Sequence, residues 1–128
     1  MKLTDALSYL QSTADQTHKF WGYYQAVTAA SVAFAWTDLG KPHPTLIPGP
    51  VVAYAMFAIL NCRLIVSSQA SARAIWEAIQ NYERLPDETV NPGLIGLTKL
   101  NEPGHPIGIG VMHVALSITA GFAMYART

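Results

Sequence analysis

PIGIGVMHVALSITAGFAMYA, residues 106–126, holds no Asp, Glu, Lys or Arg and is followed at once by Arg127. As a helix, its roughly 21 residues rise about 31 Å, and the hydrocarbon core of a bilayer is about 30 Å thick. A surface helix of a soluble domain carries a charged or polar side, whereas this stretch has no charge on any side. It predicts a transmembrane span, and the rest of the chain is read for segments that accompany it.

Upstream, residues 20–37 open with Phe20, Trp21, Tyr23 and Tyr24 and close near Trp36, the pattern of aromatic residues at two headgroup levels. From Trp21 to Trp36 a helix covers about 22 Å, slightly short of a full crossing, so flanking residues share this first span. Residues 1–19 ahead of it read as an amphipathic helix beginning near Thr4 and Asp5, with Leu3, Ala6, Leu7, Leu10 and Ala14 along one stripe. Its acids and the lack of a continuous apolar run argue against a cleavable signal peptide. TDLGKPHPTLIPGP, residues 37–50, has four prolines and two glycines and predicts the first turn-around.

A second span is expected over residues 50–68, with Pro50 tolerated in the first helical turn. No helix breaker follows before Pro86. One helix of roughly 36 residues, about 54 Å long, outruns the bilayer, so residues 69–85 are expected as a cytoplasmic extension. Ala72, Ile75, Ala78, Ile79 and Tyr82 line one side of it, opposite Arg73, Glu77, Gln80 and Arg84. An apolar stripe in water needs a surface to cover it, here the N-terminal helix or a neighbouring subunit. Residues 86–105 form a loop broken by prolines, and the third span occupies 106–126. The expected fold is all-α: residues 1–128 make one polytopic integral membrane domain with three transmembrane helices, the second extended into a long cytoplasmic stalk.

Composition agrees, with 51% hydrophobic and only 12% charged residues, against roughly a quarter charged in soluble proteins. The net charge is zero and Lys and Arg do not cluster, which removes nucleic acid as a partner. Cys62 stands alone and forms no internal disulfide. Lys2, Lys19, Arg63, Arg73, Arg84 and Lys99 lie on the side of the N-terminus, against Lys41 and Arg127 on the other. That bias predicts an inner or plasma membrane protein with its N-terminus in the cytoplasm and its C-terminus outside.

Helices associate in lipid through small residues that let backbones approach. The first span offers Ala26, Ala29, Ala30 and Ala33, and the third offers Gly110, Ser117 and Gly121 with Ala120 nearby. The leading expectation is a non-enzymatic subunit that works by helix assembly, as a homo-oligomer or as an accessory part of a larger membrane complex. Lipid and other membrane subunits are its expected partners.

Depth along the helices brings out a second feature. Gln25, Asn61, Arg63 and His113 fall about 8–10 Å inside the cytoplasmic boundary, with Thr28 at the inner edge of this polar layer. Polar groups at that depth are costly unless paired, and no Asp or Glu lies within a span to neutralise Arg63. The layer is therefore a candidate site for lipid, a cofactor or an ion. Two alternative functions follow from it: an oligomeric channel lined by Asn61, Ser67 and Ser68, or an anchor subunit in which Arg63 and His113 hold a haem, a quinone or a lipid.

No cofactor is expected by default, since His18, His43, His105 and His113 offer no well-placed pair within one chain and haem would need His113 residues matched across a two-fold axis. No metal-ligand spacing appears. Asp87, Glu88 and Glu102 have no adjacent nucleophile, and the GIG of GHPIGIGVMHV lacks the Lys-Ser/Thr sequel of a phosphate loop, so no catalytic residue is expected.

Overall fold

The computed structural model describes residues 3–37, 48–82 and 102–126, together with the single positions 93, 96 and 99. Three helices carry the chain, α1 (Leu3–Trp36), α2 (Pro48–Tyr82) and α3 (Pro106–Tyr125), and no strand occurs among the described residues. Residues 38–47 of the expected loop at 37–50 and most of the loop at 86–105 lie outside the described residues, as do positions 83–85 of the expected extension.

One boundary settles between two alternatives and one differs from that expected. Of the two courses open to the amphipathic segment, lying on the membrane surface or running straight into the expected first span, the helix takes the second: Leu3–Trp36 is uninterrupted over 34 residues. Gly22 does not break it, because one glycine costs only about 1 kcal/mol relative to alanine and the flanking residues favour helix. The second helix starts at Pro48 rather than Pro50. Pro48, Gly49 and Pro50 all fall in its first turn, where the missing proline amides have no helical partner to lose. The third helix starts at Pro106 as expected, behind an extended His105 whose carbonyl accepts from the Ile109 amide at 3.1 Å.

α1 and α2 run antiparallel. On α2 the buried positions are Tyr54, Ala58, Asn61, Ile65, Ser68, Ala72 and Ile79, and on α1 they are Ala6, Thr13, Thr17 and Tyr24. Steps of four, three and seven residues make a heptad seam of the kind that keeps two long helices in contact along their length. Thr17 Oγ1 meets Ser68 Oγ at 2.6 Å at one level, and Thr28 Oγ1 meets the Tyr54 hydroxyl at 3.1 Å at another. Ser68 also donates to the Thr13 carbonyl at 3.3 Å.

α3 is shorter and packs along only the half of this pair that holds the C-terminal end of α1. Trp36 Nε1 donates to the Ala123 carbonyl at 3.3 Å, and Tyr54, Ala58, Ala120 and Met124 form a core with Val32 and Ala35 packed on it. A Cβ built on Gly110 would lie 3.1 Å from Val66 Cγ2, so glycine there sets how closely α3 approaches α2. Beyond α3, the N-terminal part of α1 covers the extension of α2, burying Ala72 and Ile79. Ile75 is half-buried and Ala78 is exposed, because the heptad seam selects Ala72 and Ile79 from the wider stripe read in the sequence.

The surface divides along the same line. Exposed large apolar side chains run from Tyr23 to Trp36 on α1, from Val51 to Leu64 on α2 and from Ile107 to Tyr125 on α3; Tyr9 alone lies elsewhere among those exposed. The other half of the hairpin exposes Asp5, Gln11, Asp15, Lys19, Ser71, Glu77 and Asn81. Arg73 there bonds Glu77 at 3.0 Å and lies 3.7 Å from Glu102. Two helices, Gly49–Asn81 and Pro106–Tyr125, are long and apolar enough to cross a membrane. Only 28% and 17% of their apolar windows are buried within the chain, unlike core helices of a soluble domain. α1 is not among them, because Gln25, Thr28 and Ser31 dilute its apolar stretch.

Candidate functional site

His113 is the centre of a buried polar cluster where all three helices meet. It is 1% exposed, and its ring lies 4.1 Å from that of Tyr24 and 5.6 Å from that of Trp21, centroid to centroid. Trp21 in turn stands edge-on to Tyr24 at 5.8 Å. One turn of α1 thus walls the imidazole on one side, and α2 meets it on another through Asn61.

The hydrogen bonds fix a consistent pattern of protons. Ser117 Oγ donates to the His113 carbonyl at 2.8 Å, which uses its single proton. It then accepts from the Tyr24 hydroxyl at 3.0 Å and from His113 Nδ1 at 3.3 Å. His113 Nε2 is left as an acceptor, and Asn61 Nδ2 stands 3.4 Å from it as the donor. A neutral imidazole with its proton on Nδ1 satisfies every contact. In this assignment the serine proton goes to a backbone carbonyl and the facing imidazole nitrogen bears its own.

Of the four residues of the expected polar layer, the fold brings two together. Asn61 and His113 meet across α2 and α3. Gln25 is exposed on the outward side of α1, and Arg63 is exposed on α2, and neither reaches the cluster. Thr28 lies one level further along, on Tyr54. The sequence does not single out Trp21, Tyr24 and Tyr54 as site residues, although Tyr24 and Tyr54 hold positions of the heptad seam and half-buried Trp21 flanks it.

The expected packing residues also separate into two groups. Ala26, Ala30 and Ala33, with Ala29 and Gly22, are exposed. Gly110 lies close to Val66, Ser117 belongs to the cluster, and half-buried Gly121 lines a groove. Two of the side chains expected in a channel lining, Asn61 and Ser68, are 4% and 7% exposed and bonded inside one chain. Both ring nitrogens of His113 have partners within the chain. The described residues contain no cluster of three metal-ligating side chains.

The groove runs along the seam of α2 and α3 beside the cluster and encloses about 700 Å³. His113, Ser117 and Tyr54 form part of its floor, Cys62 and Arg63 lie along the α2 side, and no residue of α1 lines it. Its size falls in the range of ligand pockets, about 300–1,000 Å³. No family model, curated protein or solved structure matches this chain.

Proposed function

We propose that this chain is a three-span integral membrane protein that works by helix-mediated assembly with further copies of itself, through the outward face of α1. The observation that carries this is the company Gln25 keeps. It shares the exposed face of α1 with Gly22, Ala26, Ala29, Ala30 and Ala33. An amide facing hydrocarbon is costly unless it is bonded, and small side chains are what let a second helix come near enough to bond it.

The band of exposed apolar residues supports placing this half of the molecule in lipid, with α1 crossing beside α2 and α3. From Ile107 to Tyr125 the band spans about 27 Å, close to the hydrocarbon thickness. α1 is less apolar than its neighbours because one of its faces meets protein rather than lipid. Across a two-fold axis each Gln25 would face its counterpart, so one side chain supplies both donor and acceptor. The charge bias of the segments flanking the spans supports a cytoplasmic side for the polar half of the α1–α2 pair, the half that carries the N-terminus.

The test is disulfide crosslinking in native membranes, with single cysteines along α1 in a Cys62→Ala background. Ala26→Cys, Ala29→Cys and Ala33→Cys are expected to crosslink, while Thr28→Cys, whose side chain faces Tyr54, is not. Gln25→Leu should weaken dimerisation about three- to fifteenfold. Uniform absence of crosslinks, with monomer alone in mild detergent, would remove the proposal.

A further inference from the structure

Arg63 is the only Asp, Glu, Lys or Arg in the stretches 23–36, 51–64 and 107–125 that make up the apolar band. It stands next to Leu64, the last exposed large apolar residue of α2, while on α3, where Gly110 faces Val66, the band continues about 9 Å further, to the level of Ile107. Its guanidinium forms no hydrogen bond or ion pair with another described residue. The same side chain lines the groove between α2 and α3, whose walls include Val51, Ala55, Ile59, Val66, Ile118 and Gly121.

The groove follows α2 from Ala70 to Val51, about 28 Å, with Arg63 about 10 Å from its Ala70 end and about 18 Å from its Val51 end. The long Arg63 side chain can turn its guanidinium toward the Ala70 end and the headgroups, above about 18 Å of groove wall that can take an acyl chain. We infer that this groove holds one acyl chain of an anionic phospholipid whose phosphate pairs with Arg63. The planar guanidinium suits a phosphate through two parallel hydrogen bonds, and a headgroup without its own cation leaves the arginine as the phosphate's partner.

A second copy is the poorer occupant. The residues it would present from its own band contain no Asp or Glu, so docking it here would bury Arg63 without a counter-charge. A free phosphate ion would meet the arginine but leave the apolar walls empty. The lipid supplies both parts, and the assembly face on α1 stays clear because α1 does not line the groove.

This inference rests on the membrane placement proposed above, and Cys62, the chain's single cysteine and part of the groove wall, reports on both. The full chain is placed in phosphatidylcholine vesicles with or without phosphatidylglycerol of the same acyl chains, and flotation and the rate of Cys62 alkylation by N-ethylmaleimide are measured together. Phosphatidylglycerol is expected to slow alkylation about tenfold in the native chain. Arg63→Gln should lose that protection and Arg63→Lys should keep part of it. Leu64→Cys in a Cys62→Ala background, at the same depth but outside the groove, should show little slowing and so separates lipid docking from the surface potential.

Equal protection by phosphatidylcholine alone, or equal slowing at position 64, overturns the inference while flotation leaves the membrane placement intact. Slowing that follows the protein-to-lipid ratio instead of the phosphatidylglycerol fraction assigns the groove to a second copy and overturns it too. Failure to float with either vesicle removes the inference and the placement it rests on.

Discussion

Ser117 gathers three contacts on one hydroxyl, donating to the His113 carbonyl and accepting from Tyr24 and His113 Nδ1. Ser117→Ala strips two buried donors of their acceptor at once, and an unsatisfied buried polar group costs about 1–3 kcal/mol. The midpoint of thermal or sodium dodecyl sulfate unfolding in mild detergent is expected to fall accordingly. Tyr24→Phe should cost less, since it removes one donor and leaves Ser117 with its remaining bonds. Because the two residues share a bond, the double variant should be less destabilised than the sum of the singles; strict additivity would contradict the contact. Only the level of this cluster along the helices is legible in the sequence. Depth follows from counting residues at about 1.5 Å each, which places Asn61 and His113 together. Direction around the axis turns by about 100° per residue, so Gln25 points away though Tyr24 beside it points in, and Arg63 lies about 200° from Asn61.

At the scale of the helices, the close approach of α2 and α3 depends on Gly110. A Cβ at this position would crowd Val66 Cγ2 at 3.1 Å, so Gly110→Leu should push α3 off α2 at a cost of about 1–3 kcal/mol. Adding Val66→Ala makes room and should recover part of the loss, read as the unfolding midpoint of the single and double variants. If Gly110→Leu leaves that midpoint unchanged, α2 and α3 do not make this close approach. The helices themselves are readable because proline and glycine are confined to their ends, apart from Gly22 in α1 and Gly108, Gly110 and Gly121 in α3. Where each helix faces is harder to read. The stripe Ala72, Ile75, Ala78, Ile79 in α2 is wide enough to serve either a 3.6- or a 3.5-residue period, and only pairing with Ala6, Thr13 and Thr17 of α1 selects Ala72 and Ile79. The exposed alanines of α1 carry the same ambiguity, since small residues pack equally well within a chain or between chains.

The whole molecule is an antiparallel hairpin about 50 Å long with a third helix beside one half of it, and its exposed surface changes character where that third helix stops. The half flanked by α3 exposes Met56, Ile59, Phe34 and Phe122; the other exposes Gln11, Asp15, Ser71 and Glu77. In water the first set would leave a large apolar surface uncovered, and in lipid the second set would strand charges, so the membrane placement proposed above assigns the two halves to two solvents. Single cysteines in a Cys62→Ala background turn that division into a measurement with a membrane-impermeant maleimide. Gln11→Cys and Ser71→Cys are expected to label in inverted vesicles and stay unlabelled in sealed right-side-out ones. Met56→Cys is expected to resist labelling from either side until detergent is added. Labelling of Gln11→Cys and Ser71→Cys only from outside would reverse the orientation drawn from the charge bias while keeping the two-solvent division. Rapid labelling of Met56→Cys in intact vesicles would place the apolar band in water, and the assembly face and lipid groove would lose the hydrocarbon against which both are argued.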